Sequence, residues 1–90
     1  MSLEPSYTNQ FKKDLKLAQK RNKKIEKLKK IMNQLIDEIP LPDKNRDHVL
    51  IGNYVGRREC HIEPDWLLIY KIEDKSIIFE RTGSHSDLFE

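Results

Sequence analysis

Arg57-Arg58-Glu59-Cys60-His61-Ile62-Glu63-Pro64-Asp65-Trp66-Leu67-Leu68-Ile69-Tyr70-Lys71-Ile72 is the stretch that decides the fold. Its first seven residues alternate. Arg58, Cys60 and Ile62 face one side and Arg57, Glu59, His61 and Glu63 the other, the two-residue period of a strand. Pro64-Asp65 predicts a tight turn, because proline presets the first turn dihedral. Residues 66–72 are almost wholly apolar, the pattern of a strand covered on both faces. Glu73 to Ser76 turns again and Ile77 to Thr82 returns. The expectation is a three-stranded antiparallel meander, with a short strand, Leu3 to Tyr7, able to join its edge.

Upstream the period changes to that of a helix. Residues 8–21 place Phe11, Leu15 and Ala18 on one stripe, with lysines around the rest, and Thr8 or Asn9 can cap the first turn. Arg21 to Lys23 breaks this helix. A second covers about 23–38, where Ile25, Leu28, Met32, Leu35 and Ile39 step by three and four residues. Pro40 and Pro42 end it. Residues 40–56 are rich in Pro, Asp, Asn and Gly and are expected to be mostly loop. The predicted class is α+β: two N-terminal antiparallel helices packed on a small, mainly antiparallel sheet of three to four strands, in a single domain over 1–90.

Charge divides the chain. The net charge is +2, but residues 1–39 carry +5 and residues 40–90 carry −3. Ten Lys and Arg against two acidic residues fall within 11–30. Such a stripe attracts polyanions, nucleic acid first, unless it is simply a solvated helix face. The single cysteine, Cys60, precludes an internal disulfide and fits a reducing compartment. No apolar run approaches a membrane span, and Met1 to Pro5 has no signal-peptide pattern, so the expected location is the cytoplasm with no membrane partner.

Three histidines lie in the second half: His48, His61 and His85. Histidine exchanges protons near neutrality, with an unperturbed pKa of about 6.5. In an antiparallel meander the end of strand 57–63 adjoins the start of 66–72, which adjoins the end of 77–82. His61, Asp65, Trp66, Arg81 and His85 should therefore gather at one end of the sheet. His48 joins them only if its loop folds back, which the pattern does not show. Each residue also has a plainer reading. Asp65 is a common turn former, Trp66 a core anchor, and Arg81 a partner for Glu59 or Glu80. Phe89 is a residue that ties down the tail.

Elimination narrows the chemistry. Cys60 and His61 are adjacent on a strand and point to opposite faces, and no C-x-x-C or H-E-x-x-H spacing occurs, so neither metal nor cofactor is expected. No nucleophile elbow or phosphate loop is present. RNA cleavage suits what is left, because the RNA 2′-hydroxyl is itself the nucleophile. The protein then needs an acid, a base and a cation for the phosphate. An aromatic side chain can stack an unpaired base, and Lys-rich helices can hold the backbone.

The chain resembles the YafQ-type toxins of the RelE/ParE superfamily. The resemblance runs over Lys13-Asp14-Leu15-Lys16-Leu17-Ala18-Gln19-Lys20-Arg21, Leu41-Pro42, Asp47-His48, and His61-Ile62-Glu63-Pro64-Asp65-Trp66. It continues in Ile69-Tyr70-Lys71, Phe79-Glu80-Arg81-Thr82-Gly83, and His85 with Leu88-Phe89. It implies a ribosome-dependent endoribonuclease that cuts mRNA by metal-independent acid–base catalysis, leaving a 2′,3′-cyclic phosphate and a 5′-hydroxyl. It places family site positions on His48, His61, Asp65, Trp66, His85 and Phe89, and Arg81 is the added expectation for phosphate contact. His48, His61, Asp65 and His85 are then the catalytic set, and Trp66, Arg81 and Phe89 the substrate contacts. The implied partners are mRNA on the ribosome, with ribosomal RNA against the basic helices, and a cognate antitoxin. Operator DNA is a partner only of the toxin–antitoxin complex. The pair before His61 is Glu59-Cys60, where the family type has Asp-Ala. Two other readings compete: a non-enzymatic ParE-like gyrase inhibitor, and a plain nucleic-acid-binding module.

Overall fold

The meander forms where the alternation places it, within a larger sheet. The computed structural model describes residues 2–89; Met1 and Glu90, the ends of the expected domain, lie outside the described residues. The chain order is β1 (Glu4–Tyr7), α1 (Asn9–Lys20), α2 (Ile25–Ile36), β2 (His48–Val49), β3 (Arg58–Glu63), β4 (Trp66–Glu73), β5 (Ser76–Gly83) and α3 (His85–Phe89). Single helical turns occur at Asp43–Asn45 and Gly52–Tyr54.

The sheet has five strands in the order β1-β5-β4-β3-β2, not three to four. β1 pairs in parallel with β5, while the other pairs are antiparallel. β2 is the strand that the pattern did not predict. Two residues, His48 opposite Glu59 and Val49 opposite Arg58, make it, and two residues carry no period. The segment after β5, read as a tail, is a helical turn instead. Ser84 and Asp87 cap it reciprocally: the Asp87 amide donates to Ser84 Oγ and the Ser84 amide to Asp87 Oδ2.

β4 is covered on both faces, as its apolar run predicts. Trp66, Leu68 and Tyr70 pack with Phe11, Ala18, Leu28, Ile31 and Leu35 of the helices, together with Cys60, Ile77 and Phe79. Leu67 and Ile69 pack on the other side against Leu88, Leu50 and Tyr54. Thr8 caps α1: its hydroxyl accepts from the Phe11 amide at 2.9 Å and donates to the Glu80 carbonyl at 2.8 Å. Asn22 takes the left-handed conformation that ends the helical path between α1 and α2.

Two irregularities move side chains off their expected faces. A bulge between His61 and Glu63 breaks the alternation, so Glu63 leaves the His61 face and meets Lys27 at 3.0 Å and Lys23 at 3.6 Å. A second bulge leaves Glu80 unpaired between Phe79 and Arg81, and Glu80 accepts from Arg57. Beyond the end of β1, Asp14 of α1 is buried against β5. Its carboxylate accepts from Arg81 Nε at 2.8 Å and from the Thr82 amide at 3.1 Å.

Removing Asp14 leaves Arg81 and a buried amide unpaired, so Asp14→Ala should cost about 2–3 kcal/mol in chemical denaturation. α3 is tied to the end of α1 by Arg21, whose guanidinium donates to both Asp87 oxygens at 2.6 and 3.3 Å. That guanidinium, with the Ser84 amide, holds the Asp87 carboxyl down at about 2, against an ordinary 3.8. A depressed carboxyl stabilises the fold above its unfolded value and stops doing so as pH falls through its folded one. Docking of α3 should therefore weaken between about pH 4 and pH 2. In Arg21→Ala the carboxyl titration of Asp87, followed by carbon NMR, should move to higher pH; an unmoved midpoint would contradict the clamp.

Candidate active site

The three histidines form a row across one end of the sheet. The His48 and His61 ring centroids are 6.4 Å apart, and those of His61 and His85 5.8 Å. Three elements supply them: β2 carries His48, β3 carries His61, and α3 begins with His85. Phe89, one turn after His85 in α3, lies 6.3 Å from its ring and meets Tyr54 edge-on at 5.6 Å. His61 is largely enclosed, with 12% of its side chain exposed, while the His48 and His85 side chains are about half exposed.

Each histidine has a carboxylate. Asp65, in the β3–β4 turn, accepts from the His85 backbone amide at 2.9 Å and lies 2.6 Å from His85 Nδ1. These two contacts, the backbone one first, hold the Asp65 carboxyl below its ordinary range. Asp65 therefore stays ionised and orients the ring of His85: a carboxylate oxygen only accepts, so the Nδ1 that faces it bears the hydrogen. Glu59, buried on β3, places one oxygen 3.4 Å from His48 Nε2 and 3.5 Å from His61 Nε2.

A cleft of about 590 Å³ opens beside His61 and His85. Lys44, Asn45, Arg46, Ile62, Glu63 and Pro64 complete its lining. Asn45 is buried and donates to the His61 carbonyl at 2.7 Å, which fastens this turn to β3. Arg46 takes a left-handed conformation at the end of the turn, and its carbonyl lies 2.5 Å from His48 Nδ1. Asp47 accepts from the Tyr70 hydroxyl and from Arg58 at 3.3 Å, which holds the approach to β2.

His48, His61, Asp65, His85 and Phe89 are thus brought together. Two expected contacts are not. Trp66 is 1% exposed in the core under the helices, with its indole donating to Thr82 Oγ1 at 3.0 Å, and does not line the cleft. Arg81 is turned to Asp14 and does not line the cleft. Lys44 and Arg46 are the cations there, and the sequence pattern does not single them out because the fold of residues 40–56 carries no period. Glu59, which the alternation of β3 puts on the His61 face, meets His48 and His61 rather than the Arg81 it was expected to partner. Among the described residues no group of three or more His, Cys, Asp or Glu is arranged to hold a metal ion.

Residues 3–90 match the family described as "Bacterial toxin of type II toxin-antitoxin system, YafQ". The chain is 54% identical over 84 residues to "mRNA interferase toxin YafQ" of Escherichia coli K12, covering 92% of this chain and 91% of that protein. It superposes on the toxin in the crystal structure of the E. coli DinJ-YafQ toxin-antitoxin complex with a TM-score of 0.92. That match has 49% identity and covers both chains completely. A metal-bound toxin from Helicobacter pylori matches with a TM-score of 0.90 at 39% identity, over 97% of this chain and 99% of that one. The chain belongs to the YafQ family of bacterial type II toxin–antitoxin toxins.

Proposed function

We propose that this protein is a ribosome-dependent mRNA endoribonuclease that cleaves by metal-independent general acid–base catalysis. The observation that carries the reading is the row of three histidines backed by Asp65 and Glu59 beside a cleft lined by Lys44 and Arg46. Family membership supports the substrate class, since the E. coli relative is named an mRNA interferase.

The chemistry follows from the arrangement. An imidazole removes the proton of the RNA 2′-hydroxyl, and the freed oxygen attacks the adjacent phosphorus. The bond from phosphorus to O5′ breaks, and a second imidazole protonates O5′. The products are a 2′,3′-cyclic phosphate and a 5′-hydroxyl, with no protein–RNA bond formed. His85, turned by Asp65, is assigned to one proton transfer. His61, enclosed in the cleft wall, takes the other, and His48 completes the row. Charge developing on the phosphate is met by Lys44 and Arg46, which take the part first expected of Arg81. Phe89, 46% exposed next to His85, offers a surface to an unpaired base. Trp66 serves by holding the end of β4 in place.

The partners follow the charge. Lys12, Lys13, Lys16 and Lys20 are exposed on α1, and Lys24, Lys27, Lys29 and Lys30 are exposed on or beside α2, a surface suited to ribosomal RNA. A cognate antitoxin is proposed from the E. coli relative, which was solved in complex with DinJ. Operator DNA is proposed as a partner of that complex only. No described helix is long and apolar enough to cross a membrane, and the cytoplasm, where translating ribosomes are, is the proposed location.

His85→Ala should lower translation-coupled mRNA cleavage by about 10²–10⁴-fold, read by mapping new 5′ ends on translating ribosomes. Parent-rate cleavage by this variant would refute the assignment. Replacing Lys12, Lys13 and Lys16 with Gln should flatten the salt dependence of ribosome binding, reducing the slope of log K against log salt by about two to three. An unchanged slope would remove α1 from the interface.

A further inference from the structure

Glu59 is an unusual residue to bury. Its side chain is 6% exposed, near the start of β3, opposite Ile69 of β4 on one side and His48 of β2 on the other. A buried carboxylate persists only where partners satisfy it. The contacts of Glu59 among the described residues are ion-pair contacts rather than hydrogen bonds: one oxygen lies 3.4 Å from His48 Nε2 and 3.5 Å from His61 Nε2. The arginines next to it on the chain are engaged elsewhere: Arg57 with Glu80 and Arg58 with Asp47.

We infer that Glu59 is a positioning residue of the acid–base site: it fixes the ring orientation and tautomer of His61 and holds His48 beside it. The inference rests on the ribonuclease reading for its effect on rate, but not for its geometry. A carboxylate oxygen only accepts, so the histidine nitrogen facing it carries the hydrogen. In neutral His61 that nitrogen is Nε2, which leaves Nδ1 with the lone pair. Without the carboxylate the ring is free to turn and the lone pair is no longer held in one direction. Asp65 does the corresponding work for His85, but from an exposed turn and on the opposite ring nitrogen. The two carboxylates thus orient two histidines whose ring centroids are 5.8 Å apart, His61 through Nε2 and His85 through Nδ1.

Two measurements test this. In the 15N-histidine-labelled parent protein at about pH 8.5, long-range proton–nitrogen correlation spectra should show His61 as the Nε2–H tautomer; a dominant Nδ1–H form overturns the inference. In ribosome-bound cleavage, Glu59→Gln should lower kcat by about 10–100-fold with KM within about twofold. Glu59→Asp should recover at least part of that rate while both variants keep the parent's circular dichroism and melting profile. Parent-rate cleavage by Glu59→Gln, a loss confined to KM, or no recovery in Glu59→Asp overturns it. His85→Ala is run alongside. If that variant also cleaves at the parent rate, the ribonuclease reading fails, and the tautomer of His61 still decides what Glu59 does.

Discussion

Burial of β4 on both faces is the constraint from which the rest of the molecule hangs. Trp66, Leu68 and Tyr70 take the helix layer on one side, and Leu67 and Ile69 take Leu88, Leu50 and Tyr54 on the other. At about 25 cal/mol per Å² of apolar surface, a strand sealed on both faces dominates the stability of so small a domain. It also sets the site. β3 and β5 must lie beside β4, so His61 and the start of α3 are brought to the same end of the sheet. Leu88, packed on the outer face of β4, anchors the helix that carries His85 and Phe89.

Electrostatics then refines what packing has placed. Nearly every charge near the site is assigned a partner that holds an element in position. Arg21 with Asp87 docks α3, Arg81 with Asp14 fastens β5 to α1, and Arg58 and Tyr70 with Asp47 hold the approach to β2. The cations left facing the cleft are Lys44 and Arg46. That division separates scaffold charges from charges available to a phosphate, and it explains why Arg81, attractive in the sequence, belongs to the first group.

Much of this fold is legible in the amino-acid sequence. The alternation in residues 57–63, the apolar run in 66–72 and the intervening Pro64-Asp65 turn predict the hairpin, and through it the meeting of His61, Asp65 and His85. The three- and four-residue spacing from Phe11 to Leu35 predicts both helices, and Thr8 is one of the two residues able to cap the first. What escapes the pattern is set by distant contacts. β2 is two residues long and exists only because His48 and Val49 find Glu59 and Arg58 across the sheet. The bulge that turns Glu63 toward Lys27 leaves no mark in the alternation. Asp14 and Arg81 are 67 residues apart, and no local pattern pairs them. Glu59 alone was within reach of the pattern: the face that carries His61 also carries its carboxylate.

The central claim is that carboxylate-oriented histidines activate the RNA's own 2′-hydroxyl. A messenger carrying a single 2′-deoxyribose on the 5′ side of the scissile phosphate, programmed into ribosomes and exposed to the protein, tests it most directly. The deoxy-substituted message should stay whole at that position while its all-ribose twin is cut to a 2′,3′-cyclic phosphate and a 5′-hydroxyl. Cleavage of the deoxy-substituted message at the same position and rate would contradict the claim.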